Sequence, residues 1–182
     1  MFAKAMSFFV LVTAICISPC FAKTISKADQ KAVSDLAERS GHLSVDIGQT
    51  TQEIAEQALA KQDYGAETDG SLQCMQLLSG AIDHLTAEFH ALDIGTALGE
   101  MSVNKFDQQS AVEMVALNLD EAEHVLPHSR NTANQVMGDC PKSAVVTTKA
   151  QAVLSIASDM DSLMSALSEK YGHSKHWLGE WK

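Results

Sequence analysis

Four segments of the chain carry apolar or small residues at alternating steps of three and four positions. Because an α-helix turns once every 3.6 residues, this spacing places the residues of each segment along one face of a helix. The first segment has these residues at Val33, Leu36, Ser40, Leu43, Ile47, Thr50, Ile54 and Ala58. The second has them at Met75, Leu78, Ile82, Leu85, Phe89, Leu92 and Thr96. The third has them at Val112, Val115, Leu119, Ala122 and Leu126. The fourth has them at Val146, Val153, Ile156, Met160, Leu163 and Leu167, with Lys149 interrupting. No segment shows sustained alternation with a period of two, so the pattern predicts an all-α protein with no sheet.

Turn-forming residues separate the four segments. Residues 64–70 separate the first two, and residues 99–105 separate the second from the third, with Asp107 as a plausible cap. Residues 140–143 precede the fourth segment, and Gly172 ends it. Short connections between long helices favour an up-down-up-down antiparallel four-helix bundle.

Two features leave alternatives open. Pro127 lies within the third segment, where a proline removes a hydrogen bond and clashes with the preceding turn. Either the third helix kinks there, or it ends near Leu126 and a long connection reaches Cys140. The segment 173–182 holds both tryptophans and either folds back onto the bundle or frays.

The first 22 residues have the pattern of a secretory signal peptide. A basic start at residues 1–4 precedes an uncharged apolar run at residues 5–17, and small residues near Ala22 suit cleavage. The sequence therefore predicts a signal at 1–22 and one four-helix bundle domain at 23–182. No second long apolar run follows, so we expect no membrane span after cleavage. The predicted location is extracellular, or the periplasm if the source is bacterial.

Two cysteines, Cys74 and Cys140, remain after removal of the signal. An even pair in an oxidising compartment predicts one disulfide, and the alternative is two free, buried thiols. In an antiparallel arrangement, helix three returns to the end of the bundle where helix two begins. Both interpretations of Pro127 therefore bring the two sulfur atoms to one end.

The charge of the chain restricts its class of partner. The formal net charge is −10, and loss of Lys4 with the signal takes it to −11. No basic cluster exists, so we expect no binding to nucleic acid or to anionic membrane surfaces. A strongly acidic exported protein would more naturally meet a basic partner, although such a charge can also serve solubility alone.

No catalytic or metal-binding pattern groups the ionisable residues. Glu121 and His124 form one Glu-x-x-His step, with His128 one turn later, but a carboxylate-bridged di-iron site needs two such steps and further glutamates. His124 lies opposite the apolar seam, and His84 and His90 fall outside the seam of their own helix, so solvated histidines are the favoured interpretation. The chain has no Cys-x-x-Cys-His run and no Gly-rich phosphate loop. The sequence predicts a binding protein rather than an enzyme, with no cofactor and no metal.

Three stretches of the chain share their pattern with one known family. Ser44–Gln49 has the order small, apolar, Asp, Ile, small, Gln; Cys74 precedes Ala81-Ile82-Asp83-x-Leu85; and Ala150–Ser158 is rich in small and apolar residues. Together they resemble the plant invertase and pectin methylesterase inhibitor family. The second stretch is the most specific, with Leu78 where the family usually has tyrosine. The likeness covers most of the mature chain.

The resemblance implies a secreted four-helix bundle in which a cysteine opening helix two is bonded to one in helix three. The chain departs from the family in two ways. Family members have an N-terminal helical hairpin closed by its own disulfide, whereas Cys16 and Cys20 lie in the predicted signal. The family's helix-three cysteine would fall near residues 123–125, where the chain has none, so Cys140 would take its place.

The leading hypothesis is a secreted inhibitor that reversibly docks its helices over the active-site cleft of a cell-wall carbohydrate enzyme, either pectin methylesterase or invertase. The acidic surface would steer encounter with a basic enzyme. We expect the contact surface at exposed polar positions of helices two and three. These are Gln73, Gln76, Asp83, Asp107, Gln108, Glu113 and Asp120.

Two other functions fit the same pattern. One is a periplasmic or secreted helical bundle of bacterial type, acting as a ligand sensor or as a metal or haem binder. The other is a secreted bundle with a purely structural role. Visible absorbance of the purified protein would separate a haem binder from the other candidates.

Overall fold

The chain folds into four long α-helices. A computed structural model describes residues 24–62, 65–140 and 143–172. The helices are α1 (Lys27–Lys61), α2 (Ala66–Met101), α3 (Lys105–Asp139) and α4 (Ala144–Tyr171). No strand occurs within these three ranges, and the predicted all-α class is confirmed. The predicted signal peptide and the segment 173–182 lie outside the described residues.

The helix boundaries differ from the predicted ones at two turns. α2 already begins at Ala66, because Glu67 and Asp69 place negative charge in its first turn, where the helix dipole favours it. At the start of α3 the cap is Asn104 rather than Asp107. The Asn104 side chain accepts a hydrogen bond from the Asp107 backbone N–H at 2.9 Å, so Asp107 is already helical.

The helices pack in the order of the chain. α1 contacts α2, α2 contacts α3, α3 contacts α4 and α4 contacts α1, and α2 also meets α4 across the diagonal. Within the described ranges, three ion pairs join α1 to α4, and the paired residue numbers rise along α1 as they fall along α4. They join Asp29 to Lys170, Arg39 to Asp159 and Asp46 to Lys149. This antiparallel order agrees with the predicted up-down-up-down bundle.

The predicted apolar seams form the core. Every predicted position on α2 from Met75 to Thr96 is buried, and Phe89 is among the largest of these side chains. Elsewhere the seams are buried or half-buried, with the half-buried positions at Leu43, Thr50, Ile54, Val112 and Leu163. Lys149 fits into its seam because its ammonium group reaches Asp46 on α1. The apolar periodicity therefore identified the inward face of all four helices.

Helix α3 continues through Pro127, so neither the ending at Leu126 nor a long connection is observed. Pro127 is exposed, and water can solvate the carbonyl group that its missing N–H leaves without a partner. Packing holds the helix just beyond the proline. Ser129 Oγ donates to the Ala81 carbonyl on α2 at 2.9 Å, and Arg130 donates to the Ala157 carbonyl on α4 at 3.3 Å.

The predicted Cys74–Cys140 disulfide is present. Cys140 is the C-cap of α3, and Cys74 lies in the third turn of α2 rather than at its start. The two Cα atoms are 6.2 Å apart, within the range that a disulfide can bridge. The bond therefore joins α2 and α3 at one end of the bundle.

None of the helices in the described ranges contains a stretch apolar enough to cross a lipid bilayer.

Leu85→Ala should reduce the free energy of unfolding by about 2–5 kcal/mol, because Leu85 is 1 % exposed and its loss leaves a cavity. Leu59→Ala is the matched control, since Leu59 is 62 % exposed on α1. Urea unfolding followed by circular dichroism measures both. Equal, small losses for the two variants would show that the α2 seam is not the core.

The Cys74→Ser/Cys140→Ser variant should unfold at lower urea than the wild type. The bond closes a loop with a sequence separation of 66, which is worth up to about 4 kcal/mol through the entropy of the unfolded chain. Thiol titration of the denatured chain 23–182 should find no free thiol before reduction and two afterwards. Free thiols before reduction would contradict the cross-link.

Candidate protein-binding surface

The α2 residues predicted to contact a partner are exposed and lie along one side of the helix. Gln73 and Gln76 are one turn apart, and Asp83 follows two turns after Gln76. Asp83 also accepts hydrogen bonds from Ser44 on α1 and from Ser79 at 3.3 Å. The Ser44–Asp83 contact joins two of the stretches that carry the family resemblance.

The α3 residues predicted to contact a partner divide into exposed and enclosed positions. Asp107 and Glu113 are exposed. Gln108 is half-buried, and its side chain donates to the Ser102 carbonyl at 3.2 Å. Asp120 is 8 % exposed, so its prediction as an exposed contact residue is wrong. The buried side of α3 is wider than the predicted seam of apolar residues, and it includes position 120.

The exposed residues at the two ends of the α2–α3 hairpin do not form one patch. Asp107 lines a groove with Met101, at the far end of α2 from Gln76. Met101 is 25 positions after Gln76, which corresponds to about 38 Å at 1.5 Å per helical residue. A typical interface buries about 800 Å² on each partner, and a compact one is roughly 32 Å across. One such contact therefore cannot include both Gln76 and Asp107.

Ionisable side chains also line the α2–α3 groove midway along the bundle. Burial raises the pKa of Glu88 on α2, the negative charge of Glu121 on α3 raises this pKa further, and His84 lowers it. The Glu-x-x-His step thus places Glu121 beside a carboxylate, while His84, His90, His124 and His128 are exposed. Among the residues that the structure describes, no group of three or more His, Cys, Asp or Glu side chains is arranged to hold a metal ion.

A cluster of exposed apolar side chains surrounds the turn between α2 and α3, and we call it the hairpin-tip patch. Its members are Ile94, Leu98, Met101, Val103, Phe106, Met114 and Leu117. Leu98, Met101, Val103 and Met114 line one open groove of about 360 Å³. The predicted apolar seams do not include these residues, so the patch was not predicted. Its signal was the run of apolar residues off the seams between positions 94 and 117.

A polar cluster joins the start of α1 to the end of α4. We call it the terminal clasp, and its members are Ser26, Asp29, Lys170 and Tyr171. The Tyr171 hydroxyl and Ser26 Oγ each donate to Asp29 Oδ2 at 2.7 Å, and Lys170 pairs with Asp29 Oδ1. The spacing Ser26-x-x-Asp29 is similar to a capping box and could have been found from the sequence. The contacts of Asp29 with α4 could not have been found in this way, because no local sequence pattern indicates them.

The clasp changes the acidity of its members. Burial raises the pKa of Asp29, but hydrogen bonds from Lys170, Tyr171 and Ser26, with the charge of Lys170, outweigh burial and hold this pKa below its usual value. Burial and the hydrogen bond to Asp29 raise the pKa of Tyr171 to about 12. Asp29 is therefore held ionised and Tyr171 neutral across the neutral range.

No protein-family model matches the chain, and neither a curated protein nor a solved structure matches it.

The clasp should make stability depend on pH at both extremes. The lowered pKa of Asp29 contributes stability above about pH 4, and this contribution is lost as the pH falls through the folded-state pKa. The raised pKa of Tyr171 contributes stability below about pH 10, and this is lost as the pH rises towards 12. In Asp29→Asn the free energy of unfolding should fall less at acid pH than in the wild type. In Tyr171→Phe it should fall less at alkaline pH. Urea unfolding across a range of pH measures both.

Asp35→Asn is the control for the acid side, because Asp35 pairs with Lys31 on the exposed surface of the same helix. At neutral pH, Tyr171→Phe should also cost about 1.5–3 kcal/mol, the usual value of a hydrogen bond to a charged group. An unchanged pH profile in both clasp variants would contradict the roles given to these side chains.

Proposed function

We propose that the chain is an exported protein that reversibly inhibits pectin methylesterase or invertase, and that it binds its target through the α2 face of the disulfide-linked end. The observation that carries this proposal is the position of the cross-link. Cys74 opens the stretch that resembles the inhibitor family, and its bond to Cys140 ties that stretch to α3.

A cross-linked helix pair is suited to this mode of action. Inhibition by docking requires a surface that already has its bound shape, because ordering side chains and segments on binding costs affinity. Around Cys74 the α2 backbone is held by the disulfide and by buried Met75 and Leu78. The exposed residues of that face are therefore presented on a rigid support, and no chemical step of the chain's own is needed.

The α2 face near the cross-link offers both polar and apolar contacts. Gln73 and Gln76 are exposed, and Leu77 beside them is 49 % exposed. Protein interfaces usually have an apolar centre with a polar rim. The net charge of −11 that remains after loss of Lys4 with the signal would steer a basic enzyme towards this surface. Asp107 lies beside Met101 at the other end of α2, too far from this face to share a compact contact with it.

Inhibition should be measured directly with the mature chain, residues 23–182, added at micromolar concentration to each enzyme. The Gln73→Arg/Gln76→Arg variant should weaken inhibition about tenfold, since two positive charges would face a basic partner. Gln49→Arg/Gln57→Arg is the matched control, because both residues are exposed on α1 and the change in charge is the same. The control should inhibit as the wild type does.

The salt dependence of association provides a second test. Association should slow as salt rises across roughly 0.01–0.15 M, over which the screening length falls from about 30 to about 8 Å. Full activity of both enzymes across mildly acidic to neutral pH would overturn the proposal. Equal inhibition by both arginine variants would show that the α2 face is not the binding surface, while the proposal of inhibition would stand.

A further inference from the structure

The hairpin-tip patch is an apolar surface that the described residues leave open. Met101 is 63 % exposed, Val103 is 94 % exposed and Phe106 is 78 % exposed. On α3, positions 106, 110, 114 and 117 recur at helical spacing, so Phe106, Met114 and Leu117 share one face. Met114 lines an open groove of about 360 Å³ with Leu98 and Met101 of α2, which leaves space for a side chain of another segment.

The chain leaves α4 at the level of this patch. Tyr171 receives a hydrogen bond from the Ser26 backbone N–H at 3.4 Å. Next to Ser26, the Lys27 ammonium group pairs with Glu100 on α2 at 3.3 Å. Glu100 directly precedes Met101, so Gly172 and the hairpin-tip patch lie at the same end of the bundle.

The segment 173–182 is long enough to reach the patch from Gly172. Neighbouring helices pack about 8–10 Å apart, and an extended chain spans about 3.3 Å per residue. Five residues take the chain from Gly172 to Trp177, which allows about 17 Å, and nine take it to Trp181, which allows about 30 Å. Either tryptophan can therefore cross the width of α3 to the groove.

The composition of this segment matches the patch. It contains both tryptophans of the protein together with Leu178. Tryptophan gains more than most side chains from leaving water, and its indole N–H can still find a polar partner at the edge of a groove. Asp107 lines the groove and carries a charge complementary to Lys175 of the segment.

We propose that the hairpin-tip patch is the docking site for the chain's own segment 173–182, with a tryptophan seated in the groove of Leu98, Met101 and Met114. Docking would cover an apolar surface that would otherwise favour association. It would also place the covered tip at the opposite end of the bundle from the face proposed to bind an enzyme.

Tryptophan fluorescence tests this proposal on the intact mature chain, because Trp177 and Trp181 are the only tryptophans. The folded protein should emit at a shorter wavelength than the same protein unfolded in urea. It should also be less accessible to acrylamide. Both properties should be independent of protein concentration, since the contact lies within one chain.

A charged residue in the groove should release the segment. Met101→Glu should lower the ratio of docked to free segment by about 10- to 100-fold, the loss expected from removing one buried methionine side chain. Its emission should move towards that of the unfolded chain. Leu59→Glu is the matched control, because Leu59 is 62 % exposed on α1 and far from the patch. Circular dichroism should show that both variants remain helical.

Three results would overturn the proposal. In the first, the folded protein emits as the unfolded protein does, which means that the segment lies in water. In the second, Met101→Glu and Leu59→Glu have the same effect, which means that the tryptophans are covered elsewhere. In the third, the shift disappears on dilution together with a later elution on gel filtration, which identifies a second copy as the occupant.

Discussion

The buried face of α2 is the constraint on which the rest of the structure depends. α2 contacts each of the other three helices, and its inward side chains from Met75 to Gly99 are buried along nearly its whole length. Burying a Leu, Met or Phe side chain contributes roughly 1.5–3 kcal/mol. The sum along α2 greatly exceeds the contribution of any surface ion pair, so the helix positions its neighbours and the polar contacts adjust to them.

Different interactions fix the register of the helices at the two ends of the bundle. At one end the Cys74–Cys140 bond joins α2 to α3. At the other, Ile25 packs so closely on Gly99 that a Cβ atom there would lie 2.5 Å from it, so α2 needs a glycine at this position. The terminal clasp adds α4 to the same end. Sliding of α1 against α2 would therefore cost packing, and sliding of α2 against α3 is prevented covalently.

The disulfide and the features set by residues close together in the sequence could be predicted, and features set by contacts between other distant residues could not. Residues repeating every three or four positions identified all four inward faces, and the two remaining cysteines identified the cross-link. The continuity of α3 through Pro127 could not be predicted in the same way, because it depends on Ser129 and Arg130 contacting Ala81 and Ala157 on other helices. The same is true of Tyr171, whose partner Asp29 is 142 positions away. The enclosure of Asp120 likewise depends on how helices pack around α3.

The opposite ends of the α2–α3 hairpin have different surface chemistry, and this restricts how the protein can bind a partner. The cross-linked end offers amide side chains around Leu77, so affinity there would come from a few anchors and from charge steering rather than from apolar area. The tip offers apolar area, which binds with little selectivity for partner. A reversible inhibitor needs selectivity and a stable free form. The proposed arrangement meets both needs by exposing the polar end on a cross-linked support and by covering the apolar end with the chain's own tryptophan segment.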